Sequence, residues 1–158
     1  MEKRDIILLI ISVGVCQLAG IIGSVFTTPA IGTWYAVLVR PEFGPPNWLF
    51  APVWITLFAL MGISLYLVIR KGLNDKKVKL GVLFFGVQLA LNTVWSFLFF
   101  GLRNPYYAFI EIIILWFAIL LTIYQFLKID RKAAYLLVPY ILWVTFAAVL
   151  NYYIWILN

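Results

Sequence analysis

The sequence predicts an all-α integral membrane protein, a five-transmembrane-helix bundle with a long structured first loop. Three observations lead there. Hydrophobic residues make up 65% of the 158 positions and charged residues only 11%, with a mean hydropathy of +1.04. A soluble domain is about a quarter charged, so water is the wrong solvent for this chain. The apolar residues fall in five long runs without the strict alternation of barrel strands, and nearly all the basic residues fall between alternate pairs of those runs.

A spanning helix needs ~20 mostly apolar residues to cross a hydrocarbon core of about 30 Å. The runs are Ile6 to Phe26, Trp48 to Ile69, Leu80 to Leu102, Pro105 to Leu127 and Ala134 to Leu157, together one domain over residues 1–158. The first follows Lys3 and Arg4 and could be mistaken for a signal peptide. It is longer than an h-region and no A-x-A-like cleavage site follows it, so it reads as a retained helix.

Between the first two spans lies "TWYAVLVRPEFGPPNWLFAPVW", Thr33 to Trp54, with four of the seven prolines and three of the seven tryptophans. It is the longest connection by far. Pro45-Pro46 fixes two φ angles and makes the preceding residue extended, while Trp34 to Val39 can form one helical turn before Arg40-Pro41 stops it. Two readings stand side by side: a rigid binding loop over a pocket, or an aromatic belt at headgroup depth.

Of the 12 Lys and Arg residues, ten lie at the N-terminus and in the second and fourth loops: Lys3, Arg4, Arg70, Lys71, Lys76, Lys77, Lys79, Lys128, Arg131 and Lys132. The other two, Arg40 and Arg103, lie on the opposite side. The positive-inside rule then puts the N-terminus in the cytoplasm and the C-terminus outside. The net charge of +6 is thereby a topology signal beside anionic lipid, and no nucleic-acid partner is expected.

With one cysteine (Cys16) and no histidine, an intrachain disulfide, a Cys/His zinc site and histidine ligation of haem are all excluded. No metal and no obligatory cofactor are expected. The polar residues within the spans are the remaining candidates, since such groups face protein or a cavity. Gln88, Asn92, Trp95 and Phe99 share one face of the third span by their spacing of four, three and four. Trp143, Ala147 and Leu150, with Asn151 at the edge, share a face of the fifth, and Trp54, Phe58 and Met61 a face of the second. Together they can line a small-molecule pocket or act as interhelical packing and glue. The pairs Gly86/Ala90 and Ala19/Gly23 suit close helix contact or a homodimer. Glu111, the sole carboxylate well inside a span, is either functional or a structural hydrogen-bonding partner.

These motifs carry a resemblance. Trp34-Tyr35, Arg40-Pro41, Phe43 and Pro45-Pro46 in the first loop, Pro52-Val53-Trp54 and Met61-Gly62 in the second span, Gln88 to Asn92 with Trp95 and Phe99-Phe100-Gly101 in the third, and Pro139-Tyr140, Trp143, Ala147, Leu150 to Tyr153 and Trp155 in the fifth stand in family order. The chain resembles the translocator protein family, also called TspO/MBR, tryptophan-rich sensory or peripheral benzodiazepine receptor-like proteins. The resemblance covers nearly the whole chain.

It implies a five-helix bundle, often a homodimer, that acts as a receptor, sensor or carrier. The ligands it implies are tetrapyrroles (protoporphyrin, haem) and benzodiazepine-type or other small apolar aromatic molecules, held in a Trp-lined pocket under the first loop. Pocket residues of the family fall on Tyr35, Trp54, Phe58, Asn92, Trp95, Trp143 and Ala147, and Trp34 beside them is a further candidate. Porphyrin is expected as ligand, not as cofactor. No ordinary catalytic constellation is present. Light-dependent protoporphyrin breakdown, with Trp54 and Trp143 as redox partners, is one alternative, and a ligand-regulated scaffold is another. Two departures bear on these implications: no basic residue follows Trp155, which leaves the sterol motif of animal members incomplete, and no basic tail follows Asn158. Both point to a prokaryotic plasma membrane.

Overall fold

The computed structural model describes all residues 1–158 and contains helices and turns only. Helix α1 spans Lys3–Ile31, α2 Asn47–Ile69 and α3 Lys76–Ser96, continued by a π-helical turn Phe97–Gly101. Helix α4 spans Pro105–Leu127, and α5 (Arg131–Leu136) and α6 (Val138–Leu157) together make the last crossing. The five crossings are each long and apolar enough to span a membrane.

The ends follow from local chemistry. The Asp75 side chain accepts from Lys77 N–H at 2.8 Å and starts α3. Asn104 accepts from Tyr107 N–H at 3.0 Å, with Pro105 as the first residue of α4. Asp130 accepts from Lys132 N–H at 2.9 Å to open α5. Each satisfies a donor that a helix start leaves orphaned.

Three differences from the sequence expectation have physical causes. Helix α1 continues through Pro29 to Ile31, five residues past the predicted end at Phe26. One proline removes only one backbone donor, and at the helix end the Thr33 hydroxyl donates to the Pro29 carbonyl at 2.7 Å, one of the terminal carbonyls that lack an intrahelical partner. The fifth crossing is broken at Leu137 because Pro139 cannot donate to the preceding turn. The third crossing begins earlier, at Lys76, and ends in the π turn, which adds a residue to the helical circuit and turns Phe99 and Phe100 from their straight-helix positions.

The bundle is wrapped in apolar side chains. Ile10 and Val25 are each 64% exposed and Leu142 likewise 64%, groups that water would penalise by ~1.5–3 kcal/mol apiece and that lipid does not. Inside, several polar groups are paired between helices. The Ser64 hydroxyl donates to Ala133 C=O at 2.7 Å, Gln125 Nε2 to Lys77 C=O at 3.1 Å and Thr93 Oγ1 to Ala19 C=O at 3.1 Å. Helices α1 and α2 touch at Gly62, where a Cβ would lie 2.4 Å from Val13 Cα, so only glycine permits the approach. Gly23 is buried against Ser96 of α3, whereas Gly86 and Ala90 face outward and have no close neighbour at Gly86.

A candidate ligand pocket beneath the first loop

At the end of the bundle away from the basic loops, the helices enclose a cavity of about 620 Å³. That falls in the range of small-molecule sites, about 300–1,000 Å³. Its wall holds no Asp, Glu, Lys or Arg side chain. Seven of the residues expected from the sequence line it: Tyr35, Trp54, Phe58, Asn92, Trp95, Trp143 and Ala147. Trp34 does not. It packs behind the wall, its ring 5.6 Å from Phe99 and 6.5 Å from Phe100 in edge-on geometry, and so buttresses the residues that do.

The walls are aromatic and mutually supported. Trp95 stacks on Phe99 at 4.9 Å and 19°, four residues on along the same helical run. Trp54 tilts against Phe58 at 5.6 Å, and Trp143 meets Phe50 at 6.4 Å. Trp95 Nε1 donates to Asn151 Oδ1 at 3.0 Å, and Asn151 Nδ2 donates on to Pro105 C=O at 2.8 Å. This chain ties α3, α6 and α4 together and fixes the indole plane.

The two amides of α3 divide their roles. Gln88 lies outside the cavity; its Oε1 accepts from the Tyr140 hydroxyl at 2.7 Å and its Nε2 faces Met61 Sδ at 3.9 Å. Gln88 and Met61 are therefore packing residues and not wall. Asn92 is both: its Nδ2 donates to Tyr140 at 2.8 Å while the residue lines the cavity. Glu111 is buried, and neither of its carboxylate oxygens has a hydrogen-bond partner.

The first loop is the roof. A single 3₁₀ turn, Tyr35–Val37, presses Tyr35 down until it is 2% exposed, against Phe50, Phe99 and Phe100. Arg40 lies over the Tyr35 ring at 4.9 Å and donates to Asn47 Oδ1 at 3.3 Å. Burial pushes the Tyr35 phenol above its ordinary value, and the Arg40 guanidinium offsets part of that rise. Phe43 packs on Phe146 and Tyr153 of α6 at 6.2 and 5.5 Å.

Sequence reasoning missed the α1 wall. Gln17, Gly20, Ser24, Thr27 and Thr28 line the cavity. Their signal was present as small and hydroxyl residues at helical spacing in a helix otherwise rich in Ile, Val and Leu. At Gly20 a Cβ would sit 2.7 Å from Phe58 Cε2, so a larger residue there would require the Phe58 ring to shift. Phe50 and Phe100 were also missed. The first belongs to the first turn of α2 and the second is brought in by the π turn.

The model of the TspO/MBR family matches residues 12–156. The chain belongs to the TspO/MBR family. It is 41% identical over 156 residues to the tryptophan-rich protein TspO of Chlorobaculum tepidum, covering 99% of each chain. Against the translocator protein of Homo sapiens it is 39% identical over 124 residues, 77% of this chain and 73% of the human one. Against the tryptophan-rich sensory protein of Cereibacter sphaeroides it is 32% identical over 119 residues, 75% of this chain and 73% of that one. Family membership and the five crossings make this an integral membrane protein.

Proposed function

We propose that this TspO/MBR member is a membrane receptor or sensor whose cavity binds a planar, largely apolar aromatic ligand of the tetrapyrrole class. The single observation that carries the reading is the cavity itself: about 620 Å³, walled by Trp54, Trp95 and Trp143 without a charged side chain. Indole faces offer flat apolar area with little rotamer entropy to lose, which suits a macrocycle. The sparse polar groups, Asn92 and the α1 hydroxyls, suit orientation of one edge of it. Arg40 of the roof, held over Tyr35 and donating to Asn47, both wall residues, is a cation placed to receive a propionate. Benzodiazepine-type ligands fit the same description. The ten-to-two basic asymmetry supports a cytoplasmic N-terminus, and the close TspO relative from a bacterium supports a prokaryotic plasma membrane.

The test is titration of purified protein in nanodiscs with protoporphyrin IX in the dark, following Trp quenching and the porphyrin absorption band. Saturable binding that weakens at least tenfold in Trp143→Ala is expected. Linear, non-saturable partitioning into the bilayer would rule the reading out. Repeating the titration under illumination separates binding from breakdown: bleaching that depends on Trp54 or Trp143, both in the wall, would favour the photochemical alternative.

A further inference from the structure

Just beyond the end of α6, the Asn158 side chain is paired with the backbone of a loop residue 119 positions away. Val39 N–H donates to Asn158 Oδ1 at 3.0 Å, and Asn158 Nδ2 donates to Val39 C=O at 2.8 Å. The same Nδ2 also donates to Ile154 C=O at 2.8 Å, which orients the amide on its own helix. The primary amide thus copies the donor–acceptor pair of a neighbouring strand and captures the loop backbone just after Leu38, which is extended at ψ 147°.

The position of the clasp gives it a function. Val39 is 56% exposed, so side-chain burial alone does little to hold the loop there. Its neighbour Arg40 lies over Tyr35 and reaches Asn47, and both of those line the cavity. Helix α6, which bears Asn158, also supplies Trp143, Ala147 and Asn151 to the cavity wall. The clasp therefore ties one wall to the roof at the point where the loop turns toward Arg40 and Pro41.

We propose that Asn158 is a positioning residue for ligand exchange: it holds the roof shut, and the pocket opens to a ligand when this two-point clasp releases. The proposal rests on the pocket being a ligand site, as read above. A latch sets a barrier more than an affinity, so its loss accelerates entry and release together.

The experiment compares the parent protein with Asn158→Ala and Asn158→Asp in nanodiscs. Hydrogen exchange is read for the roof and the five crossings, and protoporphyrin IX release is timed by competitor chase. Asn158→Ala is expected to expose the Val39 amide to exchange and to speed both association and release about tenfold, the worth of two hydrogen bonds. Exchange within the crossings stays as in the parent. Asn158→Asp keeps the acceptor for Val39 N–H and loses the donor, so it falls between the two. Faster Val39 exchange with parental ligand kinetics would overturn the proposal, because the roof would then not be the door. Unchanged Val39 exchange would overturn it too, because the clasp would not form. Should the parent bind no porphyrin, the exchange measurement still reads the clasp while the ligand reading alone fails.

Discussion

Asn92 Nδ2 donates to the Tyr140 hydroxyl at 2.8 Å, inside the bundle and one helix wall from the cavity. Tyr140 passes the chain on to Gln88 at 2.7 Å. Asn92 thus joins a structural network to the cavity wall, and the two can be separated from the other end. Tyr140 does not line the cavity, so Tyr140→Phe leaves the wall intact while stranding two buried amides. It is expected to cost about 1–3 kcal/mol of stability, seen as a lower melting temperature with near-parental porphyrin affinity. Asn92→Ala is expected to lower both. Loss of affinity in Tyr140→Phe equal to that in Asn92→Ala would mean that the network itself shapes the pocket.

Two glycines should respond oppositely to a methyl group. Gly62→Ala drives a Cβ to 2.4 Å from the Val13 backbone, which cannot yield as a side chain can. Separation of α1 from α2 is expected to cost about 1–3 kcal/mol. At Gly86 nothing lies within 4 Å, so Gly86→Ala gains helix propensity and is neutral or stabilising. Thermal unfolding of both variants in one detergent checks the pair. A sharp loss at Gly86 would indicate a partner on that face.

Tyr35 carries a pH prediction. Its folded pKa lies above the ordinary value of 10.0, through burial. The folded state therefore holds the proton more tightly, and the stabilisation is complete below the unfolded value. It is lost as pH rises from about 10 through the folded value. The parent should lose stability over that alkaline window, and Tyr35→Phe, with no proton to lose, should lose less. Melting curves from pH 9 to about 11.5 make the comparison. Parallel curves would mean that Tyr35 is hydrated in solution.

Glu111 has two buried oxygens without partners. Replacing an unpartnered polar group by an apolar one of similar size removes a desolvation cost. Glu111→Leu is expected to raise stability by ~1 kcal/mol with porphyrin binding retained. A loss of binding without a loss of stability would give the acid a functional role.

Orientation is open to labelling. With Cys16 replaced by Ala, a cysteine at position 75, in the α2–α3 loop beside Lys76 and Lys77, is expected to react only after the cytoplasmic side is opened. Labelling by an impermeant maleimide on intact cells would reverse the assignment.

The crossings were legible because lipid imposes a simple rule: about twenty apolar residues and paired backbone groups make a helix. The faces bearing Trp54, Asn92, Trp95 and Trp143 were legible because helical spacing is local, and family motifs in Trp34-Tyr35 and Leu150 to Tyr153 named the bundle. The sequence left three matters open that depend on distance in space. Whether Gln88 and Asn92 served a pocket or packing was decided by where the Tyr140 hydroxyl lies, 52 and 48 positions away along the chain. Trp34 and Tyr35 are adjacent in sequence, yet the 3₁₀ turn sends one behind the wall and the other into it. The partnership of Val39 with Asn158 spans 119 positions and has no periodicity to announce it. Local chemistry determined which segments are helices and which faces are aromatic. Only packing decided which polar atoms meet, because a hydrogen bond depends on tenths of an ångström between groups that lie far apart along the chain.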